Sequence, residues 1–471
     1  MTHPFLLQLR CAIRLVSEGD DLLVACADGR GLRSRGAGAA VRSILEGLGQ
    51  GGQTAEQLIE HAVAAQPEFE SSRLYFLLAS LESKGFLNYT LAEKKGRPLA
   101  TLEPISPAFR LHSVAPSGSF RFSRFACLRR DGEAIVVESP LGHARLIVHD
   151  ARFCALPMLL ATPHRMDELV SMLPGLDTPL LAALVALLVN AGVVFACDEA
   201  GQIPEDKDSS LRLWEFHDLF FHTRSRAGRH EYPMGATFRF KGELEHGPAL
   251  KAPMTAERVA LFRPVADTTG PDFFAVLEAR RSRRTPGEAP MMVAQLGEFL
   301  WRSARVQTHV PADSQHPGSY EATLRPNAGG GAIHELEMYL TVTRCEGLAQ
   351  GLYHYDPLAH SLERLSNLEK KQQRLVQDAM NSSGSEKAPD VVITLAARFG
   401  RLAWKYEGMA YAAVQKHVGV LYQQMYLVAT ALGLAPCALG AGNSEAFAAA
   451  TGLDYFAETS VGEFMLSSGP P

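Results

Sequence analysis

Four arginines and a serine occupy consecutive positions, Arg280, Arg281, Ser282, Arg283 and Arg284, in a chain whose net charge is -5. In an extended segment, alternation places Arg280, Ser282 and Arg284 on one side and Arg281 and Arg283 on the other. Two guanidinium forks and a hydroxyl aimed at one point suit a dianionic phosphate. Arginine grips such a group bidentately, and the hydroxyl donates to a remaining oxygen. The plain alternative is a solvated basic run. Downstream, Gly329, Gly330 and Gly331 permit close backbone approach to a flat ligand. A second glycine-bearing loop contains Leu439, Gly440 and Ala441.

The elements that must position these residues read as an α+β arrangement. An amphipathic helix is expected at about residues 292–305. Strands follow at 336–340, with Leu336, Met338 and Leu340 on one face, at 351–355 and at 391–396. A long helix runs from about 406 to 434, and Gly433 stands where a C-cap is wanted.

The first 200 residues carry an internal repeat. Helices are expected at about 39–48, after a Thr54 cap, and at 71–84, with Gly85 as C-cap and a strand at 86–89. Residues 166–169 parallel 55–58. Residues 184–194, with Gly192, parallel 77–87, with Gly85. Three helices followed by a strand is the winged-helix order, so two winged-helix-like modules are expected, at residues 1–110 and 118–200. Residues 1–100 hold 11 basic and 11 acidic side chains, which is no footprint for nucleic acid. Peptide capture on the wing strand, or scaffolding, fits them better. The polar, acidic stretch 199–210 (EAGQIPEDKDSS) reads as a domain boundary. The aromatic segment beyond it reads as a helical extension, with His217 and His222 in packing or surface roles.

The chain has 471 residues, 46% hydrophobic and 21% charged, as expected of a soluble protein with a large core. Its near-neutral balance argues against nucleic-acid or anionic-membrane partners. Seven scattered cysteines without a C-x-x-C pair suggest reduced thiols in the cytoplasm and no structural metal. The N-terminus reads as the start of a domain. The apolar run at 180–189 is too short to span a bilayer.

Four motifs occur in order: R-R-S-x-R at 280–284, R-P…G-G-A-x-H-x-L-E-x-Y at 325–339, G-L-Y-H-Y-D-P at 351–357, and a helix through Gly419, Gln423 and Gly433. With them, residues from about 211 onward resemble the SagB-type dehydrogenases of the nitroreductase superfamily, which oxidise thiazoline and oxazoline rings in ribosomal peptides. The resemblance implies a nitroreductase-like FMN domain at 266–471, an antiparallel-rich sheet flanked by helices, after a linker and helical extension at 201–265. FMN would lie at a homodimer interface. Arg280, Ser282 and Arg284 would hold its phosphate; the Gly329, Gly330 and Gly331 loop would lie against its ring; the loop of Leu439, Gly440 and Ala441 would offer backbone groups to its reactive edge; and Arg281, Asn327 and Gln423 are further cofactor-binding candidates.

Lys405 and Tyr406 match the pair that acts in azoline oxidation, with dioxygen reoxidising the flavin. A lysine titrates near ~10.4, so a base role calls for desolvation or neighbouring cations, for which the arginines are candidates. The implied partners are an azoline-containing precursor peptide and a cyclodehydratase. Where the family has Pro-Ser this chain has Ala328-Gly329, where it commonly has arginine it has Ile333, and where it has asparagine it has Gln424. Two other readings are a non-catalytic scaffold that docks the cyclodehydratase and precursor, and a general NAD(P)H-dependent nitroreductase.

Overall fold

The structure, a computed structural model, describes residues 5–10, 13–19, 21–26, 30–93, 96–115, 117–265, 270–313, 315–316 and 318–469. It divides into two compact units, Met1–Tyr232 and Pro233–Pro471.

In the first unit the helices Ala39–Gln50, Ala55–Ala65 and Ser71–Ser83 precede the strand Leu87–Ala92, in the expected order. Thr54 caps the second helix through a reciprocal capping box with Gln57, and Gly85 turns the chain at φ +68°. The repeat is visible in strand pairing. Leu6–Leu9 pairs with Leu87–Ala92 and bridges Gln53, just ahead of the second helix. Ser119–Phe122 likewise pairs with Val194–Ala196 and with His164–Arg165, just ahead of Met166–Met172.

The two halves are not separate bodies. Pro98–Pro104 pairs with Ala144–Val148, which fuses them into one six-stranded antiparallel sheet over a continuous apolar core. The acidic stretch 199–210 is not a boundary either. Glu205 is 2% exposed and accepts hydrogen bonds from Ser123 Oγ (2.5 Å) and the Arg124 N–H (2.7 Å), which anchors the stretch within this unit. Buried acceptors of this kind override a reading based on polarity alone.

The second unit is built on a seven-stranded sheet in the order Arg258–Ala260, Ser361–Ser366, Gly351–Asp356, Leu336–Val342, Val391–Arg398, Glu458–Ser467, Ala435–Ala438. Every pairing in it is antiparallel. Leu336, Met338 and Leu340 pack with Phe299 and Leu300 of the helix Val293–Ala304 and with Val414, Val418 and Met425 of the long helix Ala410–Ala431. Each such side chain contributes roughly 1.5–3 kcal/mol on burial. Tyr339 faces the other way, with Leu375 of Lys370–Ser383 and Phe447 of Ser444–Thr451. Glu337, on that second face, meets a buried His354 that is also bonded to Glu363, so the layer opposite the long helix holds its own paired charges.

Among the described residues no helix is long and apolar enough to cross a membrane, and no cluster of His, Cys, Asp and Glu is placed to hold a metal ion. The six described cysteines are free, and Cys11 lies outside the described residues.

Candidate active site

The arginine segment follows the short helix Phe273–Ala279, which ends as Arg280 turns extended at ψ 121°. From there the chain runs beside the Ala435–Ala438 edge strand, and the Arg283 N–H donates to the Pro436 carbonyl at 2.7 Å. Tyr426, on the long helix, joins the two segments. The Arg280 guanidinium lies 5.2 Å from its ring centroid, Ser282 Oγ is 2.7 Å from its hydroxyl, and the Ala438 N–H donates to that hydroxyl at 2.8 Å. Arg284 is close enough for its charge to act on Cys437, although burial prevails and pushes that thiol up. Arg281, Ser282, Arg283 and Arg284 are exposed. Among the described residues, none of the four arginines has a carboxylate partner, while acids elsewhere in this unit are paired with other bases.

In the adjoining loop, Gly440 and Ala441 are exposed, and no hydrogen bond among the described residues engages their N–H groups. Leu439 differs from expectation: it is buried and its N–H donates to the Glu463 carbonyl at 2.9 Å, so that donor is committed to the sheet. Gln423 is exposed on the long helix without a hydrogen-bonded partner among the described residues.

A second cluster gathers on the glycine run. Lys405 ends the short helix Phe399–Lys405, and Tyr406 pairs with Ala236, so the long helix starts only at Ala410, four residues later than expected. Gly330–Ala332 forms a 3-10 turn in which Gly331 has φ +64° and Ala332 φ +54°, and His334 follows at +46°. Left-handed backbone at two non-glycine residues so close together is uncommon and concentrates at functional sites. A Cβ on Gly331 would stand 2.7 Å from both Lys405 Nζ and the Tyr320 hydroxyl and 3.1 Å from the Tyr406 hydroxyl. Only glycine lets these three groups close around the turn. Lys405 Nζ donates to the Tyr320 hydroxyl at 2.6 Å, and the Tyr320 hydroxyl donates to the Gly331 carbonyl at 2.8 Å. The ammonium also lies 4.8, 5.2 and 5.7 Å from the ring centroids of Tyr320, Tyr406 and Phe238.

This environment moves the lysine opposite to the expected direction. Burial acts to lower its pKa, but the hydrogen bond to Tyr320 and the oxygens of Tyr320 and Tyr406 outweigh it and hold the ammonium above the ordinary lysine range. Its electrostatic neighbours are tyrosines, not the arginine segment. Aromatic faces around an ammonium act in the same sense.

Beside the turn is a small cavity lined by Arg325, Asn327, Gly329, His334, Glu335 and His417. The Gly330 N–H donates to His417 Nε2 at 2.8 Å, and His417 Nδ1 lies 2.7 Å from Glu335 Oε1. The buried Asn327 Oδ1 and the second Glu335 oxygen have no hydrogen-bond partner among the described residues. Burial and the Arg325 charge push His334 down to about 3, and burial with the Arg401 charge pushes His246 down to about 4, so both imidazoles are neutral.

Sequence reasoning missed Tyr426, Tyr320, His417, Glu335 and the segment that supplies Phe238 and His246. For His417 a signal exists: it falls in the buried helical series Ala413, Val414, Val418, Leu421, where an apolar residue is expected.

Residues 277–466 match the nitroreductase family model. The Pro233–Pro471 unit is nitroreductase-like. Residues 120–231 match a model described as cyanobactin oxidase ThcOx, and the two matches together support an oxidoreductase. A nitroreductase-type protein of Methanocaldococcus jannaschii is 29% identical over 166 residues, 35% of this chain and 77% of that protein. Among solved structures, a nitroreductase-type protein of Ralstonia eutropha shares 20% identity with a TM-score of 0.36, covering 50% of this chain and 98% of its own. The E. coli microcin synthetase McbBCD complex with truncated pro-MccB17 bound shares 20% identity with a TM-score of 0.33, covering 53% of this chain and 90% of the matched one. The cluster around Lys405 and the arginine segment both lie within the residues that match the nitroreductase model.

Proposed function

We propose that this chain is an FMN-dependent oxidoreductase that dehydrogenates thiazoline and oxazoline rings to thiazoles and oxazoles in a ribosomally made peptide. The observation that carries this reading is the closure of Lys405, Tyr406 and Tyr320 around the Gly331 turn. It stands in a nitroreductase-like unit downstream of a segment matching an oxidase model.

The residues present fit FMN. The segment Arg280–Arg284 has no carboxylate partner among the described residues, which suits a phosphate held by Arg280, Ser282 and Arg284. Asn327, whose Oδ1 has no partner among the described residues, and the Gly329, Gly330 and Gly331 run would lie at the ring, and Gly440 and Ala441, exposed and with N–H groups in no hydrogen bond among the described residues, are available to it. When bound, FMN supplies a two-electron acceptor for the hydride that azoline oxidation releases, and dioxygen would reoxidise it.

The two clusters attach to the long helix at His417 and Tyr426, nine positions apart. That is about 14 Å along the axis and half a turn round it, on opposite edges of the buried face. On the resemblance to SagB-type dehydrogenases, not on this spacing, the ring site is proposed to be completed by a second copy, in a homodimer with FMN at the interface.

Azole formation also removes a proton from the neighbouring ring carbon. Lys405, as the free amine, is the proposed acceptor, and Tyr406 orients the ring or donates to it. Because its surroundings favour the ammonium, the active fraction grows as pH rises. The repeated halves of the first unit are proposed to be winged-helix-like modules that hold the precursor peptide, with a cyclodehydratase supplying the azoline.

The test is mass spectrometry of an azoline-containing peptide incubated aerobically with flavin-loaded protein. Loss of two hydrogens per ring is expected. Flavin-loaded protein that leaves the peptide mass unchanged but oxidises NAD(P)H with a nitroaromatic acceptor would favour the general reductase. A preparation that takes up no flavin would favour the scaffold.

A further inference from the structure

We propose that Tyr320 positions Lys405, and that the buried Glu335–His417 pair does so at one remove by holding the Gly330–Gly331 turn to which Tyr320 is anchored. This rests on the reading of Lys405 as the base and adds three residues that act through it.

The contacts form one chain. Glu335 Oε1 lies 2.7 Å from His417 Nδ1, and His417 Nε2 accepts from the Gly330 N–H at 2.8 Å. One peptide further on, the Gly331 carbonyl accepts from the Tyr320 hydroxyl at 2.8 Å, and that hydroxyl accepts from Lys405 at 2.6 Å. Proton positions follow from the partners. The Gly330 N–H occupies Nε2, so the imidazole carries its proton on Nδ1 and gives it to the carboxylate. Tyr320 has a single proton, committed to Gly331, and offers Lys405 only lone pairs. Lysine can donate to such an oxygen as ammonium or as free amine, so Tyr320 holds Nζ in the same place in both protonation states. A base that gains and loses a proton in each cycle requires this.

The turn needs a pin because Gly331 is left-handed at φ +64° and Ala332 at φ +54°. Backbone held in these regions persists only where its surroundings over-determine it. Glu335 is 0% exposed and its second oxygen has no partner among the described residues. A buried carboxylate of this kind is costly, and an apolar side chain would pack there more favourably. Orientation of His417 toward Gly330 is the gain that offsets the cost.

The experiment measures the lysine itself. The full chain is labelled with limiting acetic anhydride across a pH series, and acylation at Lys405 is read by peptide mass spectrometry against the other lysines. Tyr320→Phe removes the acceptor that favours the ammonium, so Lys405 should acylate several-fold faster than in the parent at a fixed, mildly alkaline pH. His417→Ala should shift Lys405 in the same direction. His417→Gln, whose amide oxygen can still accept from Gly330, should restore the parent profile. If Tyr320→Phe leaves Lys405 labelling unchanged, the positioning role of Tyr320 is overturned. If His417→Ala behaves as the parent, or His417→Gln behaves as His417→Ala, the role of the buried pair is overturned. Should His417→Ala fail to fold, His417→Leu, which fills the space and likewise offers the Gly330 N–H no acceptor, takes its place in both comparisons.

Turnover of Lys405→Ala on an azoline peptide separates this proposal from the functional reading. Labelling shifts as expected with azole formation intact in Lys405→Ala would keep the positioning chain and remove lysine as the base. Loss of azole formation with labelling indifferent to Tyr320 and His417 would do the reverse.

Discussion

The long helix Ala410–Ala431 touches two clusters that are built in opposite ways. At Tyr426 the arginine segment is contiguous in sequence, exposed from Arg281 to Arg284, and without carboxylate partners among the described residues; the phosphate site proposed there is made of charge. At His417 the turn, Tyr320 and the adjacent Lys405 and Tyr406 come from three separate stretches, with His417 itself a fourth. They meet through hydrogen bonds of 2.6–2.8 Å around a glycine where no Cβ fits; the catalytic site proposed there is made of fit. A charge site tolerates small displacements because Coulombic attraction falls off slowly, whereas a hydrogen-bonded base loses its purpose within an ångström. Substitutions at the two ends should therefore fail differently, one in affinity and the other in turnover.

The largest effect is expected at Lys405. Lys405→Ala should lower azole formation by about 10²–10⁴-fold while flavin content stays at the parent level. In the parent, the rate should climb with pH from neutrality into the alkaline range. The folded environment raises the lysine pKa, so the ammonium predominates at neutral pH and the free amine appears only as pH rises. A flat profile, or unchanged turnover in Lys405→Ala, would assign the base elsewhere. Next comes Gly331→Ala, which places a methyl 2.7 Å from Lys405 Nζ and the Tyr320 hydroxyl on a backbone at φ +64°. Displacing the lysine by about 1 Å should cost on the order of 10²-fold in turnover, measured with flavin-saturated protein. At the other end, Arg284→Ala should weaken FMN binding by roughly 10–100-fold, as for loss of a charge-assisted hydrogen bond worth ~1.5–3 kcal/mol, read by flavin fluorescence titration. Full flavin occupancy in that variant would remove the phosphate assignment and, with it, the contrast between the ends.

The same contrast explains what was legible in the sequence. The arginine segment could be singled out as a phosphate candidate because its charges lie in adjacent residues and need only an extended backbone to converge. The strand through Leu336, Met338 and Leu340 could be read from their alternation and the long helix from its span, whereas the antiparallel sheet flanked by helices was implied by the family resemblance. Even the repeat in the first unit survives as matched strand pairings around Gln53 and His164–Arg165. Tyr320 and His417 could not be read, because their roles exist only once strands and helices far apart in the chain have packed. The direction of the Lys405 shift failed for that reason: it depends on which side chains stand within hydrogen-bonding reach, and those are tyrosines, not the nearby-sounding arginines. Residues 199–210 failed differently, since a polar stretch reads as a linker until Ser123 and Arg124 are found binding Glu205.

The smallest effect is expected at Tyr426, and it tests whether the charge site has any fit of its own. Tyr426→Phe keeps the ring beneath Arg280, 5.2 Å from the guanidinium, and removes only the hydroxyl shared by Ser282 and the Ala438 N–H. If charge alone makes the site, FMN affinity should be unchanged within error, because every arginine remains. If the hydroxyl also fixes Ser282 and the Gly440 loop relative to one another, two modest hydrogen bonds at ~1 kcal/mol each are at stake, and part of that appears in binding. The second outcome is the one expected here: about a fivefold weaker FMN affinity, with a melting temperature lower by roughly 2–4 °C for a unit of this size. The Ala438 N–H lies on the edge strand and can turn to water when the hydroxyl is lost, whereas Ser282 then has no other hydrogen-bonding partner among the described side chains. The serine should therefore account for most of the loss in binding, and adding Ser282→Ala to Tyr426→Phe should weaken FMN little further.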